Sequence, residues 1–209
     1  MNIDEQLQDL RKRIAKNSVE DAKLILKIVR ENPFHLEARL VLMDIVGFQR
    51  DYFDFRWRDC ALEALTIAIE HQCWTPEQIA LLYLKIAEWY WDEQLNDKHI
   101  EYIRKAFRTY PNHPKVINSY VSNYIQTLDD QTVLSLVDKM VDLDPQNPMK
   151  HFLRARHISQ IFKRDKSKRH YRDMAIASYQ KALDLGLSYQ NGGLPPIAAE
   201  HGIQQLKNM

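Results

Sequence analysis

The chain has 209 residues, 45% of them hydrophobic and 27% charged, with 29 Lys and Arg against 28 Asp and Glu. This near-neutral balance excludes a general polyanion binder, which draws its affinity from an excess of Lys and Arg, while the length suffices to bury a sizeable core. The five glycines are about a third of the number that ordinary usage would give, which disfavours hairpin-rich sheets and favours helices joined by short turns.

Helical periodicity runs through nearly the whole chain. Ile3, Leu7, Leu10 and Ile14 recur at three- and four-residue steps and predict an amino-terminal helix over residues 3–16. Ser18 with Asp21 three positions on opens a second helix, which carries Leu24, Ile25, Ile28 and Val29. Leu62, Leu65 and Ile69 continue the spacing, and Thr75-Pro76-Glu77 announces another start. Strand-like alternation is nowhere sustained. No stretch approaches the roughly 18 apolar residues of a membrane span, and Asp4, Glu5 and Asp9 do not fit a secretory leader. The expectation is a cytoplasmic, soluble protein without membrane contact. Cys60 and Cys73, thirteen residues apart on what reads as one helix, would stand about 20 Å apart. They cannot bridge and are expected as reduced core side chains.

The later prolines keep a register. Pro111 to Pro145, Pro114 to Pro148 and Tyr90 to Tyr124 are each separated by 34 residues, a period that signals a helical repeat. One unit shows Tyr83-x2-Ile86-Ala87-x2-Tyr90 on its first helix and His99-x3-Ile103-x2-Ala106 on its second, closing at Pro111. The next shows Ile117-x2-Tyr120-Val121-x2-Tyr124 and Val133-x3-Val137-x2-Met140, closing at Pro145, with larger side chains where the first has small ones. Ala61-x3-Leu65-x2-Ala68 and Ala175-x3-Tyr179-x2-Ala182 mark two further second helices. These residues resemble the tetratricopeptide repeats, a helix-turn-helix unit of the same period. The resemblance spans about residues 18–187 as four units and a leading partial one. It implies an all-α fold, an α-solenoid of tetratricopeptide-like repeats with capping helices. The repeat domain is expected over 1–187, and 188–209 is expected as a loop followed by a short capping helix or a mobile tail, because Gly192, Gly193, Pro195 and Pro196 break the pattern.

Two units exceed the period. From Val46 to Ala61 there are fifteen steps and from Ile158 to Ala175 seventeen, where the regular units have nine. Both insertions are expected at the turn between first and second helix, and insertions along one edge of a repeat commonly mark a binding face. The first carries Arg50, Phe55, Trp57 and Arg58; the second carries Lys163, Arg164, Lys168 and Arg169. Residues 148–172 hold nine Lys/Arg and one acid, whereas 109–147 hold two Lys/Arg and five acids. The neutral total therefore averages two unlike surfaces.

No phosphate-binding glycine loop, zinc-protease helix, C-x-x-C pair or nucleophile elbow is present. His151 and His157 are six apart, so they do not share a helix face. Neither an enzyme nor a metal or cofactor site is expected. The resemblance instead implies a concave groove lined by first-helix side chains. Its positions fall on Leu84, Glu88 and Trp91 in one unit, on Asn118, Ser122 and Ile125 in the next, and on Phe152, Arg156 and Ser159 in the last. Trp89 and Trp91 are near neighbours, and one of them must point elsewhere. Aromatic and Arg anchors among polar groups suit a peptide or protein segment. The expected function is a non-enzymatic adaptor or scaffold that binds a protein or peptide. The alternative is binding of RNA or single-stranded nucleic acid through the basic 163–172 insertion. Dimerisation stays open, since an end of the stack can bury its exposed face against another copy.

Overall fold

The computed structural model describes residues 2–13, 19–48, 56–188 and 194–209, and among them it contains eleven α-helices and no strand. The chain divides into two compact units, Met1–Thr109 and Tyr110–Met209. The division falls just ahead of Pro111, where one repeat ends and the next begins. The first unit holds α1 (Ile3–Arg13), α2 (Val19–Glu31), α3 (Leu36–Phe48), α4 (Trp57–His71), α5 (Pro76–Asp92) and α6 (Asn96–Thr109). The second holds α7 (Pro114–Tyr124), α8 (Asp130–Asp142), α9 (Pro148–Arg164), α10 (Arg169–Asp184) and α11 (Pro196–Lys207). The amino-terminal helix is described to Arg13; Ile14 lies outside the described residues.

In the first unit α1 leans on α2 and α3 through Leu7 and Leu10, both fully buried. The helix α5 starts on a capping box, in which Thr75 Oγ1 accepts from the Gln78 amide and Gln78 Oε1 accepts from the Thr75 amide, with Pro76 in the first turn. Three residues connect α5 to α6, so the two run antiparallel. The end of α5 is closed by the Leu95 amide donating to Tyr90 O and the Gln94 amide donating to Trp91 O, with Gln94 at φ 60. This is the double closure that usually has glycine at the left-handed position. Gly186, at φ 77, makes the same closure after α10. Scarce glycine thus leaves one of these two closures to a glutamine. Cys60 is buried on α4, and desolvation pushes its thiol up to about 12. Cys73 lies beyond the end of α4 and is exposed rather than in the core, because the helix stops at His71 with Gln72 turning left-handed.

In the second unit the 34-residue register acquires a physical cause. Pro114 and Pro148 each sit in the first turn of a helix, where the missing amide costs nothing. The residue before each is the cap: His113 Nδ1 accepts from the Lys115 amide at 3.2 Å and Asn147 Oδ1 accepts from the Met149 amide at 3.0 Å. Val121, Val133 and Met140, the larger side chains of the degraded repeat, are all fully buried with Ile117, Ile158 and Ala175 in one core. The helix α11 packs on α10 and α9 and buries Ala199 and Leu206. The second insertion is not an enlarged turn. Its extra length goes into α9 and α10, with 17 and 16 residues against 11 and 13 in α7 and α8. Only Asp165–Lys168 connect them, because Ile161 and Phe162 prolong the buried stripe of α9.

Candidate functional site

The groove positions expected in the first unit separate by burial. Leu84 is in the core of α5. Glu88 is exposed and stands 3.4 Å from Lys85 Nζ, which pairs with Asp44 Oδ1 at 2.6 Å. Trp91 is 59% exposed, with its ring 5.1 Å from that of His99; His99 Nδ1 contacts Ala87 O at 2.8 Å. Trp89 is the tryptophan that points inward. It stacks on Trp57 at 5.5 Å, Trp57 meets Tyr90 edge-on at 5.3 Å, and Tyr90 stacks on Tyr102 at 5.4 Å. Trp57, expected on the insertion edge, is therefore a core residue, 3% exposed, and its indole N–H donates to Glu93 Oε1 at 3.0 Å. Arg58 is exposed at the start of α4. Arg50 and Phe55 lie outside the described residues.

In the second unit Ile125, Phe152 and Ser159 are buried and present no side chain to a partner. Phe152 packs edge-on against Tyr179 at 5.4 Å, and Ser159 Oγ donates to Arg156 O at 2.7 Å. Asn118 is occupied by His157, whose Nε2 stands 2.9 Å from Asn118 Oδ1. Ser122 and Arg156 are exposed. Four of the nine groove positions thus serve the core, because the apolar face of each first helix is wider than the family pattern implies.

The basic insertion is largely occupied as well. Arg164 donates from Nη1 to Ile125 O and Leu128 O, and from Nη2 to Asp130 Oδ1 at 2.7 Å. Lys168 Nζ donates to Asp130 Oδ2 at 2.6 Å, which holds the ammonium protonated above its usual range. Arg172 pairs with Asp173 at 3.1 Å. Lys163, Lys166 and Arg169 are exposed and have no ion pair among the described residues. Sequence reasoning missed the role of Asp130: it is 34 residues from Arg164, and nothing local marks it. Replacing Arg164 by alanine is expected to cost about 1–2 kcal/mol, since it strands two carbonyls and half the charge on Asp130. Chemical denaturation followed by far-UV circular dichroism would measure it, and an unchanged midpoint would refute the role.

Among the described residues no group of three His, Cys, Asp or Glu is placed to hold a metal ion, and no helix is long and apolar enough to cross a membrane.

No protein-family model matches the chain, and no curated protein matches it. Solved structures do. TTC0263, a thermophilic TPR protein in Thermus thermophilus, is similar over 99% of both chains at 12% identity, with a TM-score of 0.56. The crystal structure of MamA is similar over 88% of this chain and 95% of that chain at 13% identity, with a TM-score of 0.51. At such identities the likeness is one of fold. With capped helix pairs repeating at 34 residues, it gives this chain an all-α fold of tetratricopeptide-like helical repeats.

Proposed function

We propose that the chain is a non-enzymatic adaptor that binds a protein or peptide segment, and that Trp91 with Glu88 on α5 forms part of the contact surface. The supporting observation is Trp91 itself. Burying an indole is worth several kcal/mol, and an exposed tryptophan braced by a neighbouring ring is pre-ordered for a partner at little entropic cost. Glu88 beside it can take an amide or a cation of the bound segment. In the second unit, Arg156 and Ser122 offer a weaker counterpart.

The test is affinity capture with the intact chain, followed by identification of the captured protein and measurement of its affinity. Trp91→Ala is expected to weaken the complex by about 2 kcal/mol or more, roughly thirtyfold, with thermal stability unchanged because the ring is exposed. Undiminished affinity would remove Trp91 from the surface. The nucleic-acid reading has less support, since Arg164, Lys168 and Arg172 already have carboxylate partners. With three unpaired cations left on that edge, single-stranded RNA binding would fall with salt at a logarithmic slope of only about −2.

A further inference from the structure

The second unit contains an open cavity of about 550 Å3 that none of the expected groove positions lines. Three helices each contribute one face to it. Asp138 and Asp142 come from α8, four residues apart; His151 and Arg154 come from α9, three apart; Ser178 and Lys181 come from α10, also three apart. Such spacings place both members of each set on one side of their helix. Val141 and Ala177 supply apolar surface between them.

Arg154 is the fixed element. Its Nε donates to Asp138 Oδ1 at 2.7 Å and its Nη1 donates to Ser178 Oγ. Ser178 is itself 4% exposed and donates to Met174 O at 2.9 Å. The guanidinium is thereby held on two sides, while Nη2 keeps its donors without a partner among the described residues. His151 is turned aside, with Nε2 at 2.9 Å from Pro145 O. Asp142 and Lys181, on different walls, form no ion pair with each other or with another described residue. One cation and one anion are thus left uncompensated, together with the open edge of Arg154.

From this arrangement we infer that the cavity binds a ligand that carries both a cation and a carboxylate. The carboxylate is received by Lys181 and Arg154 Nη2, the ammonium or guanidinium by Asp142, and the ligand's hydrocarbon lies over Val141 and Ala177. The charge balance selects this class. A phosphate or dicarboxylate would face Asp138 and Asp142, and a polyamine would face Arg154 and Lys181; either meets like charge within the same cavity. The volume lies within the usual range for small-ligand sites. A free amino acid and a peptide segment with a basic residue near an acidic one share this chemistry.

Titration of the isotope-labelled intact chain, followed by amide chemical shifts, distinguishes these sources. The probes are an acetylated and amidated Lys-Ala-Glu peptide, the corresponding Glu-Ala-Glu and Lys-Ala-Lys peptides, and free leucine. Saturable shifts at Ser178 and Lys181 are expected with the mixed-charge peptide, and binding about tenfold weaker with either single-sign peptide. Lys181→Ala and Asp142→Ala are each expected to cost about tenfold, while Asp142→Lys combined with Lys181→Asp restores binding. Saturation by leucine with the same residues responding assigns a free amino acid; saturation by the mixed peptide alone assigns a peptide segment. Absence of saturation with every probe, or equal affinity for the single-sign peptides, overturns the inference. The cavity and Trp91 belong to different units, so either assignment can fail without the other.

Discussion

Replacing Gly47 by alanine is expected to destabilise the first unit by about 3 kcal/mol. The ordinary expectation has the opposite sign, since glycine to alanine within a helix gains up to about 1 kcal/mol. Gly47 is in α3, and nothing in its backbone requires glycine: among the described residues the glycine with positive φ is Gly186. The cause is Trp89. A Cβ on Gly47 would lie 1.4 Å from Trp89 Cη2 and 2.2 Å from Cζ2, at covalent-bond distance from the edge of the ring. The ring cannot retreat cheaply, because it is stacked on Trp57 at an interplanar angle of 18° and Trp57 is held in turn by Glu93. The contact also explains how α3 reaches α5, two helices onward. Tryptophan fluorescence reports the first unit alone, since Trp57, Trp74, Trp89 and Trp91 all precede its boundary. In urea, the Gly47→Ala midpoint should fall sharply, and adding Trp89→Leu should recover at least about 1 kcal/mol relative to additivity. A neutral or stabilising Gly47→Ala would show that the indole does not cross this glycine.

Where the signal was local, the sequence carried it. The prolines at 114 and 148 start helices because proline tolerates only the first turn, and their 34-residue separation reports the repeat directly. The lengths of α9 and α10 were also within reach, since Ile158, Ile161 and Phe162 keep the three- and four-residue spacing past the expected turn. The candidate surfaces were harder to read. A family's groove positions state which side of a helix faces away from its own partner helix. Whether that side meets solvent depends on neighbours that sequence does not name: Phe152 is covered by Tyr179, and Asn118 is taken by His157. The basic edge misled for a related reason. Charge counted along the chain cannot register that Asp130 lies within bonding distance of both Arg164 and Lys168. The same blindness hid the cavity on α8, α9 and α10, whose six polar side chains come from three helices and make no motif in any one of them.

Acidification is expected to weaken the second unit through His157 alone by about 3 kcal/mol between pH 6.5 and pH 4. The imidazole is 1% exposed in the core of α9. Its Nε2 faces Asn118 Oδ1 at 2.9 Å, and since that oxygen can only accept, Nε2 carries the hydrogen. Nδ1 is then the unprotonated nitrogen, and it is buried without a partner. Protonation would place an N–H there with nothing to receive it. Desolvation, with the adjacent Arg156 guanidinium adding repulsion, lowers the histidine to about 4. The unfolded chain takes up this proton near the ordinary value of 6.5, so between the two values it binds more protons than the folded one. Stability is therefore complete above pH 6.5 and is lost as pH falls through 4. Because the chain has seven other histidines, the informative quantity is the difference between wild type and His157→Gln, whose side-chain amide can still donate to Asn118. Urea unfolding monitored by far-UV circular dichroism at several pH values should give a wild-type curve that steepens downward below pH 6.5. The variant should lack that component, starting slightly less stable near neutrality and overtaking the wild type in acid. Parallel curves would mean that the Nδ1 site accepts its proton without penalty and that the buried imidazole is already solvated or partnered.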